Sequence, residues 1–235
     1  MKMKRFLLIL AFLAFTVFLT FLSLHLVQRY GGIELSKVIS NKHEAVDLGL
    51  SVKWAICNVG ANRPEEYGGY YAWGETKEKT FYSWDTYKWY NGSDGSDGSM
   101  TKYCTDSDYG EVDNKTTLDP SDDVAHVKWG GKWRMPTLDE IEELCDECSW
   151  EWTSVNGVAG YKVTGPNGNS IFLPAAGGRG GTEVYDRGSY GYYWSGSLGE
   201  GYSSFAYHLG FNSGSHDWYY GDRRNCGLTV RPVTE

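Results

Sequence analysis

The most reactive side chains of this chain are its five cysteines, at positions 57, 104, 145, 148 and 226. Cys145 and Cys148 form a C-x-x-C pair, a spacing found in zinc sites and in redox-active disulfides. The pair falls within a predicted helix, and neither a second pair nor a histidine cluster lies near it in the sequence. We therefore expect small buried apolar side chains, or one structural disulfide, rather than a zinc or redox site. Because the number of cysteines is odd, at least one thiol is unpaired or is paired between molecules.

Cys226 has the surroundings that come nearest to those of a nucleophile. Arg223 and Arg224 precede it, and neighbouring positive charge favours the reactive thiolate. No second cysteine lies near it in the sequence, and nothing in the sequence shows that Cys104 approaches it in space. We therefore predict that the protein is not an enzyme.

Other catalytic and metal-binding patterns are missing from the sequence. The four histidines beyond residue 30 lie in unrelated contexts, and no H-x-H, H-E-x-x-H or G-x-S-x-G pattern occurs. The GGRGG run at 177–181 lacks the flanking strand and helix of a nucleotide site. TDSDYGEVDN, residues 105–114, opens like a calcium loop, but its later ligand spacing does not fit, so solvated turns are the better reading. We expect no metal and no cofactor.

The charge balance argues against a nucleic-acid partner. The chain has 235 residues with 22 basic and 30 acidic side chains, a formal charge of −8. Four of the basic residues lie within 1–30, which contain no acidic residue, so the remainder carries a formal charge of −12. A surface that acidic repels phosphate backbones. Aromatic residues make up 16% of the chain, which favours a packed, loop-rich fold over disorder.

The N-terminal segment, residues 1–30, is predicted to be a signal peptide or a transmembrane anchor. MKMKR precedes an apolar run over 6–27 that would reach roughly 33 Å as a helix, enough to cross a bilayer. No small-x-small cleavage site is evident, so we favour an uncleaved anchor over a cleaved signal, and no cysteine follows for a lipoprotein. Residues 31–43 then form a linker before a single domain over 44–235. The positive N-terminus places that domain outside the membrane, at the cell surface or in the envelope.

Two helices are predicted within the domain. The first covers 120–130, with Ser121 or Asp122 as its N-cap. The second covers 137–148, where Thr137 and a glutamate three residues later form a capping box. Its apolar residues fall on one face, so it covers one side of a sheet.

The remaining elements are predicted to be strands. Two short strands lie on either side of Gly49, and an aromatic strand covers 68–75. The dipeptide NG at 156–157 between two β-type runs predicts a hairpin. NSIFLPAAG, YGYYWSGS, AYHLGFN and LTVRPV follow as further strands between loops, and NGSDGSDGS at 91–99 has the composition of a flexible loop. Antiparallel strands with two helices and long loops define an α+β fold.

Several motifs resemble a known family. WGGKWRMPTLDEIEEL, residues 129–144, resembles the signature of formylglycine-generating-enzyme-like proteins, whose fold is a variant of the C-type lectin fold. VDLGLSVKWAICNVGA, YYAWGE, NGNSIFLPAAG, YYWSGS and LTVRPV resemble a paralogous group of Bacteroidetes and Fibrobacter surface proteins that share this fold. The resemblance covers roughly 44–235 and implies a C-type-lectin-like domain. It also leaves open a formylglycine-generating-type oxidase, for which Cys226 alone occupies a comparable zone.

The tryptophans and arginines of these motifs have a structural reading. Trp54, Trp73, Trp129, Trp133 and Trp194 are expected to build a core of large rings close to glycine backbone. Arginines 134 and 231 are expected to form buried bidentate pairs with carboxylates.

The C-terminal region, about 199–227, also resembles the variable proteins of diversity-generating retroelements, which use this lectin fold. In that family only the adenines of a template are mutated. Changes at the adenines of an asparagine codon can give many amino acids, but not Lys, Glu, Gln, Met or Trp. Between 199 and 227 only Glu200 and Trp218 belong to that unreachable set, and no lysine follows Lys162. Loops without diversification also prefer Gly, Ser, Asp and Tyr, so an undiversified surface module remains the alternative.

The resulting hypothesis is a surface protein that binds a protein or glycan ligand non-covalently. Trp218, Leu209 and Phe211 would be the fixed framework, and NSGSHDWYYGDRRNCG, 212–227, would be a loop held between strands. Aromatic anchors would exclude water, and polar side chains would supply directional hydrogen bonds. The predicted exposed ligand-binding residues are Tyr202, Ser204, Phe205, His208, Gly210, Ser215, His216, Asp217, Tyr219, Tyr220, Asp222, Arg224 and Asn225.

Overall fold

The computed structural model describes residues 43–92 and 98–235. The predicted anchor or signal within 1–30, nearly all of the linker and the centre of the polar loop at 93–97 lie outside the described residues. Within the described part, no helix is long and apolar enough to span a membrane. Ala45–Glu235 form one compact unit.

The described chain consists mainly of short antiparallel strands with two α-helices, so the predicted α+β class is confirmed. The helices are α1, Val124–Trp129, and α2, Leu138–Glu147, and a 3₁₀ turn covers Trp84–Thr86. The first strands are β1 Ala45–Val46, β2 Lys53–Ala55, β3 Tyr90–Asn91 and β4 Ser99–Met100. The middle strands are β5 Ser149–Val155, β6 Val158–Thr164, β7 Ser170–Pro174, β8 Gly178–Gly180 and β9 Glu183–Tyr185. The last are β10 Tyr190–Leu198, β11 Phe205–Asn212, β12 Ser215–Arg223 and β13 Val233–Thr234.

Both helices begin with side-chain caps. In α2 the hydroxyl of Thr137 accepts from the backbone N–H of Glu140, whose carboxylate accepts from the N–H of Thr137, which is the predicted capping box. In α1 the cap is Asp123, one residue later than predicted, and its carboxylate accepts from two backbone N–H groups of the first turn. Asp122 was predicted as a cap but instead pairs with lysines, because Lys88 and Lys102 bring their ammonium groups to its carboxylate.

Three small sheets make the framework of the domain. The terminal sheet has the order β1-β2-β13 and joins the two ends of the domain. The middle sheet has the order β5-β6-β7, and its first hairpin turns at Asn156 and Gly157, both with positive φ, as the NG pair predicted. The C-terminal sheet has the order β10-β11-β12.

The segment 212–227 is mostly a strand, so the loop predicted there is wrong. β12 pairs with β11 along nearly its whole length, and Asn212 accepts from the N–H of Gly214 in the tight turn between them. Its residues alternate between exposed and half-buried from Ser215 to Trp218. Alternating hydrophobicity does not reveal this strand in the sequence, because one of the inward-facing rings is His216, which is polar.

Two further strand predictions fail in part. Residues 68–75 form only an isolated bridge, Tyr71 to Leu228, and LTVRPV contributes bridges before β13 begins at Val233. In both segments the backbone is irregular and forms no regular ladder. Buried side chains and contacts with arginines hold it in place instead.

Two clusters of buried apolar side chains form the main core. The first lies between α2 and the three sheets and includes Trp54, Leu209 and Phe211, with Trp218 packed at its edge. The second lies against α1 and includes Trp73 and Trp194. Three of the five predicted core tryptophans are thus fully buried. Trp129 and Trp133 are half-buried and pack edge to face with ring centroids 5.0 Å apart.

The two motif arginines differ in their partners. Arg134 forms the predicted bidentate pair with the carboxylate of Glu140. Arg231 is fully buried but has no carboxylate partner among the described residues. Its guanidinium donates to Asn58 Oδ1 and to the backbone carbonyls of Ala55, Ile56 and Phe172, so it satisfies these oxygens in the interior.

Candidate functional site

The thirteen predicted ligand-binding residues do not form one exposed patch. The structure separates them into a buried guanidinium, a small cavity, the tip of the β11–β12 hairpin and a groove beside the base of that hairpin. Tyr219 and Tyr220 lie in β12, where the backbone of Tyr219 pairs with that of His208.

Arg224 is not a surface residue, although we predicted it to be one. Its side chain is fully buried, and it donates to Tyr87 Oη and to the carbonyls of Lys102, Tyr103 and Ser203 at 2.7–3.0 Å. The rings of Trp73, Tyr87 and Tyr103 surround the guanidinium. A guanidinium offers five donors in a fixed plane, which suits it to joining several carbonyls in the interior.

His208 and Gly210 are also buried rather than exposed. They line a cavity of about 370 Å³ with Tyr190, Tyr192 and Gly221. The face of β11 opposite Leu209 is therefore covered too, which strand alternation alone does not reveal. Burial lowers the pKa of His208 to about 4, against the opposing charge of Asp222, so the imidazole is neutral at pH 7.

The hairpin tip carries three of the predicted residues. Ser215 and Asp217 are exposed, and the ring of His216 stacks on Trp150 of β5 with centroids 4.3 Å apart. Burial lowers the pKa of His216 as well, although the charge of Asp217 opposes the shift. His216 therefore anchors the hairpin to the middle sheet.

The groove brings together the largest number of predicted residues. Ser204, Phe205 and Asn225 line a depression of about 690 Å³, within the about 300–1,000 Å³ of small-molecule sites. Asn225 was predicted to be exposed but is buried at its edge. Tyr202, 54% exposed, borders it by packing edge to face on both Phe205 and Tyr109. Asp222 is half-buried nearby in the chain, but it faces Tyr185, which donates to its carboxylate, and does not line the groove.

The opposite wall of the groove contains functional candidates that the sequence analysis did not select. Trp84, Tyr90 and Tyr109 line it with half-buried rings, and Phe81 is exposed at its edge. The ring centroids of Trp84 and Tyr90 lie 5.0 Å apart. TFYSWDTYKWYNG, 80–92, has the same aromatic and small polar alphabet as 212–227, a signal that would have pointed to this wall.

Three of the cysteines, Cys145, Cys148 and Cys226, have a raised pKa. All five are free, so neither a disulfide nor a Cys145–Cys148 bridge is present. Burial and the neighbouring charge of Asp222 raise the pKa of Cys226 to about 12, since Arg224 turns into the interior and leaves the thiol beside a carboxylate. Burial also raises the pKa of Cys145 to about 12 and that of Cys148 to about 11.

Over the described ranges, no three His, Cys, Asp or Glu side chains are grouped so as to hold a metal ion. In TDSDYGEVDN, the carboxylate of Asp113 accepts from the backbone N–H groups of Tyr103 and Cys104, so it serves a turn.

Comparisons with family models, curated proteins and solved structures found no match to this chain.

Proposed function

We propose that this protein is an exported or cell-surface ligand-binding protein, membrane-anchored through residues 6–27, whose domain has a C-type-lectin-like fold. The observation that carries the binding proposal is the aromatic groove at the base of the β11–β12 hairpin. One wall is lined by residues of 199–227, the segment with the restricted alphabet, and the other by residues of 81–90 and 98–109. The ligand is a protein or a glycan at the cell surface, and binding is non-covalent.

The contacts among the motif segments support the lectin-like fold. Trp194 of YYWSGS donates to Tyr71 O of YYAWGE, and Trp73 of the latter donates back to Ser195 O. Arg231 of LTVRPV donates to carbonyls in the segments VDLGLSVKWAICNVGA and NGNSIFLPAAG. Motifs far apart in the sequence thus bind one another through their distinctive side chains, as members of one shared core would.

The surroundings of the thiols support a binding rather than a catalytic role. A nucleophilic or metal-binding cysteine needs a stabilised thiolate, whereas the pKa of Cys226 is raised to about 12. The runner-up functions are a structural surface module without a ligand and a formylglycine-generating-type oxidase. The oxidase function is tested by incubating the protein with copper and a cysteine-containing peptide. A peptide that remains unaltered would exclude this function.

A binding screen tests the proposal. The full-length protein and a Tyr202→Ala, Phe205→Ala double variant are compared on arrays of glycans and of surface proteins. We expect ligands that bind the native protein and lose at least about tenfold in affinity with the double variant, because buried aromatic anchors dominate recognition surfaces. Val127→Ala, exposed on α1, is the control and should bind as the native protein does. A screen without ligands, or ligands indifferent to the double substitution, would contradict the assignment.

Retroelement diversification of 199–227 is a separate part of the proposal. It is supported by the absence of Lys, Gln and Met from that range and by the burial of Leu209 and Phe211, two of the three predicted framework residues. Sequencing the neighbouring DNA tests it. The expected finding is a near-identical repeat that differs at adenines and lies beside a reverse transcriptase gene, and a locus without such a repeat rejects it.

A further inference from the structure

The two edges of the middle sheet differ within the described chain. At the outer edge of β7, Phe172 O accepts from the guanidinium of Arg231, and the strand ends at Pro174. The opposite edge is β5, which pairs with β6 and with no other strand of 43–92 and 98–235. No backbone group from another described segment bonds to it either. In this part of the chain β5 is therefore an open edge.

β5 lacks the features that usually protect an edge strand. Natural edges contain proline or lysine, are very short, or carry a bulge, because their free N–H and C=O groups otherwise pair with another chain. β5 has seven residues, SWEWTSV, and its ladder with β6 runs without a register shift. Glu151 is its only charged residue, and Ser149, Glu151 and Ser154 are exposed along it. A regular strand of this composition is suited to pairing with a further strand.

The hairpin turn determines which backbone groups of β5 point outwards. Because this turn has two residues, Val155 and Val158 form a hydrogen-bonded pair. Along an antiparallel ladder such pairs alternate with pairs that exchange no bonds. The residues of β5 that direct their N–H and C=O groups away from β6 are therefore Trp150, Trp152 and Ser154. These groups are symmetrical about Trp152.

That symmetry fits a second copy of the same strand in one register. When two copies run antiparallel with Trp152 opposite Trp152, Trp150 of each copy lies opposite Ser154 of the other. Each of these pairs exchanges two hydrogen bonds, so every outward-pointing group of the strand has a partner. A pairing centred on Glu151 or on Thr153 would leave the groups of one outward-pointing residue beyond the end of the partner strand.

The side chains favour the same register. On the face of the sheet turned away from α2, Glu151 of one copy would lie opposite Thr153 of the other, and Lys162 flanks Glu151 within each copy. No two like charges are then directly opposite, whereas a pairing centred on Glu151 would oppose two carboxylates. On the other face the half-buried ring of Trp152 would lie beside its counterpart and lose exposed apolar area.

We propose that this protein self-associates through β5, which pairs antiparallel with β5 of a second copy about Trp152 and joins the two middle sheets into one continuous sheet. The surface is separate from the groove, so this inference goes beyond ligand binding. One strand pair is a small interface, so we expect a weak dimer.

Cross-linking tests the register. Glu151 and Thr153 of opposite copies would form a pair that exchanges no hydrogen bonds, with Cα atoms about 4.5 Å apart, which a disulfide can span. Full-length Glu151→Cys and Thr153→Cys proteins, carrying tags of different size, are mixed in detergent with oxidised glutathione and separated on non-reducing gels. We expect the mixed dimer to form far more readily than either variant dimerises alone. A mixture of Ser149→Cys and Thr153→Cys, offset by two residues, is the matched control and should form little mixed dimer.

A charge substitution and its rescue test the energetics. Thr153→Glu would place two carboxylates opposite each other at both symmetric positions, so the dissociation constant of the dimer should rise roughly three- to tenfold. Adding Glu151→Thr removes the opposing carboxylate while leaving Glu at position 153, and should restore the native dissociation constant to within about twofold. Sedimentation equilibrium in density-matched detergent measures both, and urea midpoints show whether either variant is destabilised.

Each alternative gives a different result. A full-length protein that stays monomeric at all concentrations, as it would if residues outside the described part covered β5, overturns the inference. So does association that is unaffected by Thr153→Glu, as expected of dimers held by the N-terminal segment alone. Equal cross-linking of the offset mixture refutes the register, and a double variant as weak as Thr153→Glu shows that opposed carboxylates are not the cause.

Discussion

Replacing Arg224 with methionine should strongly destabilise the domain. The guanidinium makes four hydrogen bonds, three of them to the backbone carbonyls of Lys102, Tyr103 and Ser203. Methionine has a similar length but no donor, so these three carbonyls would lose the guanidinium as a partner in a buried site. Tyr87, the fourth acceptor, keeps its own bond to Trp73 O.

The expected loss of stability follows from the three carbonyls that lose their donor. An unsatisfied buried acceptor costs about 1–3 kcal/mol, and the relief of desolvating the charge offsets a part of the sum. We expect a loss of roughly 3–6 kcal/mol in the free energy of unfolding. With an m-value of about 2 kcal/mol/M in urea, the midpoint should fall by roughly 1.5–3 M, measured by tryptophan fluorescence.

The neighbouring Arg223 provides the matched control. It is exposed, so Arg223→Met should change stability by no more than about 0.5 kcal/mol. Arg224→Lys keeps the charge without the planar fork and should give an intermediate loss, which covers the case in which the methionine variant does not fold. Equal midpoints for Arg223→Met and Arg224→Met would refute the structural role of Arg224.

Two further predictions concern pH and backbone conformation. Because the pKa of His208 falls to about 4 in the folded state from about 6.5 unfolded, its contribution is complete above pH 6.5 and is lost as the pH falls towards 4. The native protein should therefore lose up to about 3 kcal/mol more than His208→Gln between pH 7 and 4, and parallel urea midpoints would contradict this. Gly177 and Gly188 both have positive φ, but only at Gly177 would an added Cβ meet backbone, at Tyr185 O. Gly177→Ala should cost about 3 kcal/mol or more and Gly188→Ala only about 1 kcal/mol, and equal melting temperatures would reject the steric argument.

The sequence predicted the elements whose signals are local. The cap of α2 at Thr137 and the turn at Asn156 and Gly157 depend on residues within a few positions, and both are confirmed. The α+β class follows from the same local patterns.

The features that were not predicted correctly depend on residues far apart in the sequence. Residues 68–75 have the composition of a strand, but their bonds go to Ser195, Leu228 and Arg224 rather than to a neighbouring ladder. Arg224 has the sequence surroundings of a binding loop, and only folding reveals that the chain turns it inwards. The groove could not be predicted either, because its two walls are more than 90 residues apart in the sequence.

Arg224 also links the two walls of the groove. Its guanidinium donates to the carbonyls of Lys102 and Tyr103, which belong to the wall segment 98–109, and to that of Ser203, which directly precedes the groove residue Ser204. One buried side chain thus fixes the spacing of both walls before any ligand arrives. Under the binding function that we propose, association would lose little conformational entropy from loop ordering, so more of the contact energy would remain as affinity. Because the hydrogen bonds of Arg224 hold both walls, exposed residues around the groove can be substituted without altering its width.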